Sequence, residues 1–142
     1  MKIVLFVLFI APFLTFAQPG KLPKFKEKKS EIIFLRKVED ALRTHDADEM
    51  MMYIEPEYKR QQHDEFLEGR TLQFLSELFF CPKVAFNQIT VAHLMACTQN
   101  GSDPNLFEAE FYISSTSVNC TISVTVVKHS ETGVFSLVGA MG

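Results

Sequence analysis

The chain has no glycine-rich phosphate loop, no G-x-S-x-G elbow, no H-E-x-x-H pair and no calcium-binding loop. Each of those motifs carries a mechanism, from backbone N–H groups around a phosphate to ligands at fixed helical spacing. Without them, serine-dependent hydrolysis and zinc hydrolysis lose their usual sequence support. An excess of charge of one sign is also missing. The formal net charge is −3, which offers nucleic acid no electrostatic footprint. Cysteine is limited to Cys81, Cys97 and Cys120, and their spacing matches no C-x-x-C metal motif. No metal and no cofactor is expected, and no nucleic-acid partner.

What is present begins with an apolar run. Met1 and Lys2 precede Ile3 to Phe16, which is apolar except at Pro12 and Thr15, and Ala17 supplies a small residue before Gln18. This reads as a secretory signal peptide over residues 1–17, cleaved after Ala17. The run is shorter than the roughly 20 residues a membrane span needs, so no membrane span is expected and the protein is secreted or periplasmic. Export makes disulfides possible, while an odd count leaves at least one thiol unpaired. A Cys97–Cys120 disulfide between two strands is one expectation. Three buried free thiols are the alternative.

Residues 18–29 hold Pro19, Gly20, Pro23 and five lysines (Lys21, Lys24, Lys26, Lys28 and Lys29) against the single Glu27. They read as a flexible basic lead-in, a solubilising arm or a tether to an anionic surface. Residues 30–142 read as a single domain. Ser30 is placed to cap a helix whose apolar stripe runs through Ile32, Ile33, Leu35, Val38, Ala41 and Leu42. Asp46 and Glu49 form a capping-box pattern for a second helix. Pro56 opens a third, and Thr71 precedes a largely apolar fourth that closes at Cys81-Pro82.

After Pro82 the period changes from 3.6 to 2. Ile89, Val91, His93, Met95 and Cys97 fall on one side of the first strand. Phe107, Ala109, Phe111 and Ile113 alternate with Glu108, Glu110 and Tyr112 on the second. Val118, Cys120, Ile122, Val124 and Val126 make the third, and a last strand follows Gly133. Helices first and strands after predict an α+β fold, with N-terminal helices packed on a curved antiparallel sheet of about four strands.

The segment from Phe34 to Ile54 pairs a helix with an acidic start, Asp46-Ala47-Asp48-Glu49, and a second apolar helix ending before Pro56. In that order of elements the chain resembles the nuclear transport factor two-like superfamily, the cone-shaped fold shared with ketosteroid isomerase and polyketide cyclases. The resemblance spans roughly Ser30 to the C-terminus. It implies a cone-like domain with a pocket between the helices and the concave sheet face, and leaves function open, since the superfamily includes enzymes, carriers and dimerisation modules.

Three readings of function follow. The first is a non-catalytic binding module for a small apolar ligand or a protein partner, with His93, Met95, Glu110 and Tyr112 as ligand-binding candidates. The second is an acid–base enzyme of the isomerase, cyclase or dehydratase kind. Its candidates are His63 or Asp64 as base, Tyr58 as hydrogen-bond donor, and His93. A solvated, charged helix face followed by a glycine turn is the plainer explanation of the polar run around His63. The third is a homodimer formed through the sheet's outer face, around Thr121, Ser123, Thr125 and Val127.

Overall fold

The computed structural model describes residues 21–61, 71–79, 84–116 and 118–141, with backbone alone at 58, 60, 61 and 141. The leader, His63, Asp64 and Cys81 lie outside the described residues, as does the side chain of Tyr58.

Helix α1 spans Ser30–Thr44 and buries Ile32, Leu35, Val38, Ala41 and Leu42 on one face, at helical spacing. Its cap differs from the expected one. Lys29 occupies the cap position with no side-chain bond, and Ser30 is the first helical residue. The helix ends at His45, which takes a left-handed conformation (φ 57°) and donates its backbone N–H to the Ala41 carbonyl. A ring nitrogen of His45 contacts the Ile89 carbonyl. Helix α2, Ala47–Tyr53, starts as its sequence predicts, with the Asp46 carboxylate accepting the Glu49 N–H at 3.0 Å. Helices α3, Pro56–Gln61, and α4, Thr71–Leu78, follow. A short 3-10 turn, Phe86–Gln88, is held by the Phe86 N–H donating to the Ser76 hydroxyl at 2.9 Å.

The strands are β1 (Val91–Gln99), β2 (Leu106–Ser114), β3 (Asn119–Lys128) and β4 (Phe135–Met141). They pair antiparallel in the order β1-β2-β3-β4, so the fold is α+β with a curved open sheet. Phe107, Phe111 and Ile113 of β2 and Ile122, Val124 and Val126 of β3 turn inward as the alternation predicts. Helix residues Leu35, Leu42, Met50 and Leu75 meet them. Fully burying side chains of this size stabilises by about 1.5–3 kcal/mol each. Beyond β4, Ile54 bridges Leu137 in parallel, and the Glu55 N–H donates to the Leu137 carbonyl at 2.8 Å.

Strand β1 faces the opposite way from the expectation. Ala92 and Leu94 are the buried residues, while Val91 and His93 stand half-buried on the outer face. Both parities of this strand are apolar, so alternation alone does not select a side. The register then shifts between Leu94 and Ala96, making Met95 the irregular residue. That bulge inverts the phase and brings Cys97 opposite inward-facing Ala109.

The Cys97–Cys120 disulfide is not formed. Cys97 is a free thiol and Cys120 is disulfide-bonded. The register explains this. Cys97 pairs with Ala109 on β2, and Cys120 pairs with Ile113 four residues further along the same strand. Strand β2 separates them laterally by two strand spacings of about 4.8 Å. A disulfide needs Cα atoms within about 7 Å.

The basic segment before α1 is pinned at two points. Phe25 packs against the core, with the Arg36 guanidinium 5.4 Å from its ring centroid. Arg36 also donates to Glu27 at 2.6 Å, and this bond holds the Glu27 carboxyl below its ordinary pKa.

Candidate functional site

The four ligand-binding candidates of the sequence fall on or beside one surface, the sheet face turned away from the helices. His93 is directly opposite Tyr112, and Tyr112 is opposite Thr121. Glu110, two residues from Tyr112 and on the same face, pairs with Ala96 and Ser123. Met95 sits at the bulge. This is an open strand surface. His93 stands half-buried on it.

A groove forms elsewhere, from three separate parts of the chain. Helix α1 contributes Ser30, Ile33, Phe34 and Lys37, which share one face at i, i+3, i+4 and i+7. The end of α2 contributes Met52 and Tyr53. The turn into β4 contributes Gly133, Val134 and Phe135. Gly133 adopts φ +70° there, a conformation glycine takes without the Cβ penalty. The groove's volume is about 460 Å³, within the ordinary range of ligand sites.

Aromatic rings make the floor. Phe34 stacks on Phe135 with centroids 5.6 Å apart and meets Tyr53 edge-on at 5.5 Å. Both geometries are favoured by the ring quadrupoles. The Tyr53 hydroxyl donates to the Glu49 carboxylate. Burial first, then that hydrogen bond and the Glu49 charge, push the Tyr53 pKa up to about 12. The rim is apolar and exposed: Ile33 is 47 % accessible, Met52 73 % and Val134 57 %. Lys37 is the one charged residue among the described residues that line the groove.

A polar tether fastens two of the groove's walls. His129 Nε2 donates to Glu55 Oε2 at 2.8 Å, joining the β3–β4 turn to the residues just after α2. The Ser136 hydroxyl lies 3.5 Å from the same nitrogen. Serine, histidine and acid therefore meet, but in the wrong order for a nucleophile. A relay needs the carboxylate on one ring nitrogen and the hydroxyl on the other. Here both lie on Nε2, so the cluster positions the turn and does not activate Ser136.

A smaller hollow of about 200 Å³ lies where Lys24, Phe25 and Lys29 approach Cys97. Burial, reinforced by the Glu31 charge and opposed by Lys29, raises the Cys97 thiol pKa. Among the described residues no three His, Cys, Asp or Glu side chains are grouped to hold a metal ion. No helix among them is long and apolar enough to cross a membrane.

The residues around the groove were not legible as a site. Ile33 belongs to the predicted core stripe of α1 yet is left exposed. His129 and Glu55 are 74 positions apart. The available signal was the pattern Ser30, Ile33, Phe34, Lys37, a second stripe beside the buried one.

Neither a scan against protein-family models nor searches of curated proteins and of solved structures found a match for this chain.

Proposed function

We propose that this chain is an exported, non-catalytic binding module, and that the groove between α1, the end of α2 and the β3–β4 turn is its binding surface. One observation carries the reading. Five large apolar side chains stand exposed among the described residues, and three of them, Ile33, Met52 and Val134, converge on this groove. Exposed apolar residues scattered singly need no explanation, whereas a cluster over a concave aromatic floor is the signature of a ligand site. Export is supported by the leader-like residues 1–17 and by Cys120, whose disulfide suits an oxidising compartment. The order of helices and strands supports including the nuclear transport factor two-like resemblance in the same proposal.

The test is titration with a neutral environment-sensitive dye such as Nile red. Saturable binding that weakens several-fold in Met52→Ser and Val134→Ser, both exposed and therefore near-neutral for stability, is the expected result. Absence of saturable binding, or binding indifferent to both variants, refutes the reading.

A second reading is favoured by the bare sheet face. The helices cover the other side, and half-buried Leu106, Thr125 and Val127 stand uncovered here. Packing of this face against a second copy is the homodimer reading. Light scattering across a concentration series decides it. A dimer broken by Ser123→Arg supports it, and a monomer at every concentration removes it.

A further inference from the structure

We infer that the groove takes a free, singly anionic amphiphile, with its apolar tail lying on Phe34 and Phe135 between Met52 and Val134 and its anionic head at Lys37. The inference rests on the groove being a binding site, and it names the ligand's chemistry.

The charge pattern of α1 carries the head-group assignment. Arg36 is committed to Glu27 and Glu39, the latter at 2.9 Å. Arg43 is paired with Asp40. Lys37, between them in sequence, makes no ion pair among the described residues, and its side chain lines the groove. Among the described residues no carboxylate lines the groove and Lys37 is the one cation that does; a second ammonium, Lys128, approaches the Phe135 ring at 5.7 Å without itself lining the groove. The other lining is apolar apart from the Ser30 and Tyr53 hydroxyls, and the Tyr53 hydroxyl is occupied by Glu49. A cationic head would meet Lys37 with repulsion. An uncharged ligand would leave the charge unused. A molecule with two separated negative groups would have to bury the second against apolar rings, which is costly without a partner. The volume of about 460 Å³ accommodates one short tail rather than a bilayer patch.

The magnitudes set the readout. Each tail methylene buried adds about fourfold in affinity until the floor is covered. Lys37 is exposed, so its attraction for an anion about 4 Å away is worth about fivefold at low salt and fades as salt rises.

Calorimetric titration of the purified protein with decanoate, decanol and decyltrimethylammonium reads the head group at constant tail length. Decanoate is expected to bind about fivefold tighter than decanol, with decyltrimethylammonium weakest. Lys37→Gln should bring decanoate down to the affinity of decanol, and Lys37→Glu should invert the order of the charged pair. Equal binding of all three probes overturns the head-group assignment and leaves the binding groove standing. A preference for decanoate that survives Lys37→Gln also overturns it. Failure of every probe to bind removes both inferences together. Sedimentation of the protein with phosphatidylglycerol vesicles, without uptake of decanoate, assigns the lysine to a membrane surface and overturns the free ligand.

Discussion

Glu39 and Leu94 are joined across two layers of the molecule: the Leu94 backbone N–H, at the start of the β1 bulge, donates to the Glu39 carboxylate on α1. Strand β1 lies at the edge of the sheet. Edge strands present unpaired backbone groups that invite pairing with other chains. Here a helix side chain covers one such group where the ladder is already irregular. Arg36 completes the arrangement by donating to the same carboxylate. A charge with so little exposure is thereby both paired and hydrogen-bonded.

Replacing Glu39 by Ala should therefore destabilise the fold by about 2 kcal/mol, the scale of a hydrogen bond to a charged group lost from a largely buried site. Glu39→Gln retains an acceptor and should cost about half as much. Urea unfolding of the two variants measures the difference, and equal costs would show that Leu94 does not depend on this acceptor.

Tyr53 should ionise late. Its pKa is raised to about 12, so its phenolate absorbance appears only in that range, and Tyr53→Phe should delete this component of the alkaline spectrum. The sign of the linked stability follows. The folded state holds the Tyr53 proton more tightly than the unfolded chain does. The stabilisation is complete below about pH 10, the ordinary tyrosine value, and is lost as pH rises toward 12.

Cys97 should be a slow thiol. Its pKa is raised by burial, with Glu31 adding to the effect, so the reactive thiolate is scarcer than in an exposed cysteine. Alkylation by iodoacetamide at pH 8 should run several-fold slower than for a small free thiol. Peptide mapping of the unreduced protein should find the label on Cys97 and none on Cys120. Label on Cys120 without reductant would contradict the pairing described.

The Glu55–His129 pair should couple the β3–β4 turn to the end of α2 by about 0.5–1 kcal/mol, since His129 is partly exposed and solvent weakens the pair. A double-mutant cycle with Glu55→Gln and His129→Gln measures it. Faster amide exchange at Gly133 in either single variant would show that the pair holds the turn. A coupling energy of zero would mean that the backbone bonds at the turn suffice. Those bonds are Gly133 N–H to His129 and His129 N–H to Val134.

The sequence shows most of the sheet and little of the site, for physical reasons that differ by segment. Strands β2 and β3 each have one apolar parity, so their inward residues could be named from alternation alone. Strand β1 is apolar on both, and its bulge at Met95 has no sequence signature, so alternation puts His93 and Cys97 on one side whereas they belong to opposite ones. The Asp46–Glu49 cap was legible because its geometry is local. The groove was not, because Phe34, Tyr53 and Phe135 meet only after three distant segments fold together. The sequence offers His93 and Tyr112 as candidates, and the register brings them opposite each other, but on an open face.

The bridge from Ile54 to Leu137 has a kinetic meaning. The sheet pairs only sequence neighbours, so its hairpins close short loops and form early at low entropic cost. The α2 end of the groove cannot be locked until β4 arrives, because its partner in the ladder is Leu137. That wall of the groove therefore stays unlocked until β4 has paired, so it acquires its shape after the hairpins of the sheet.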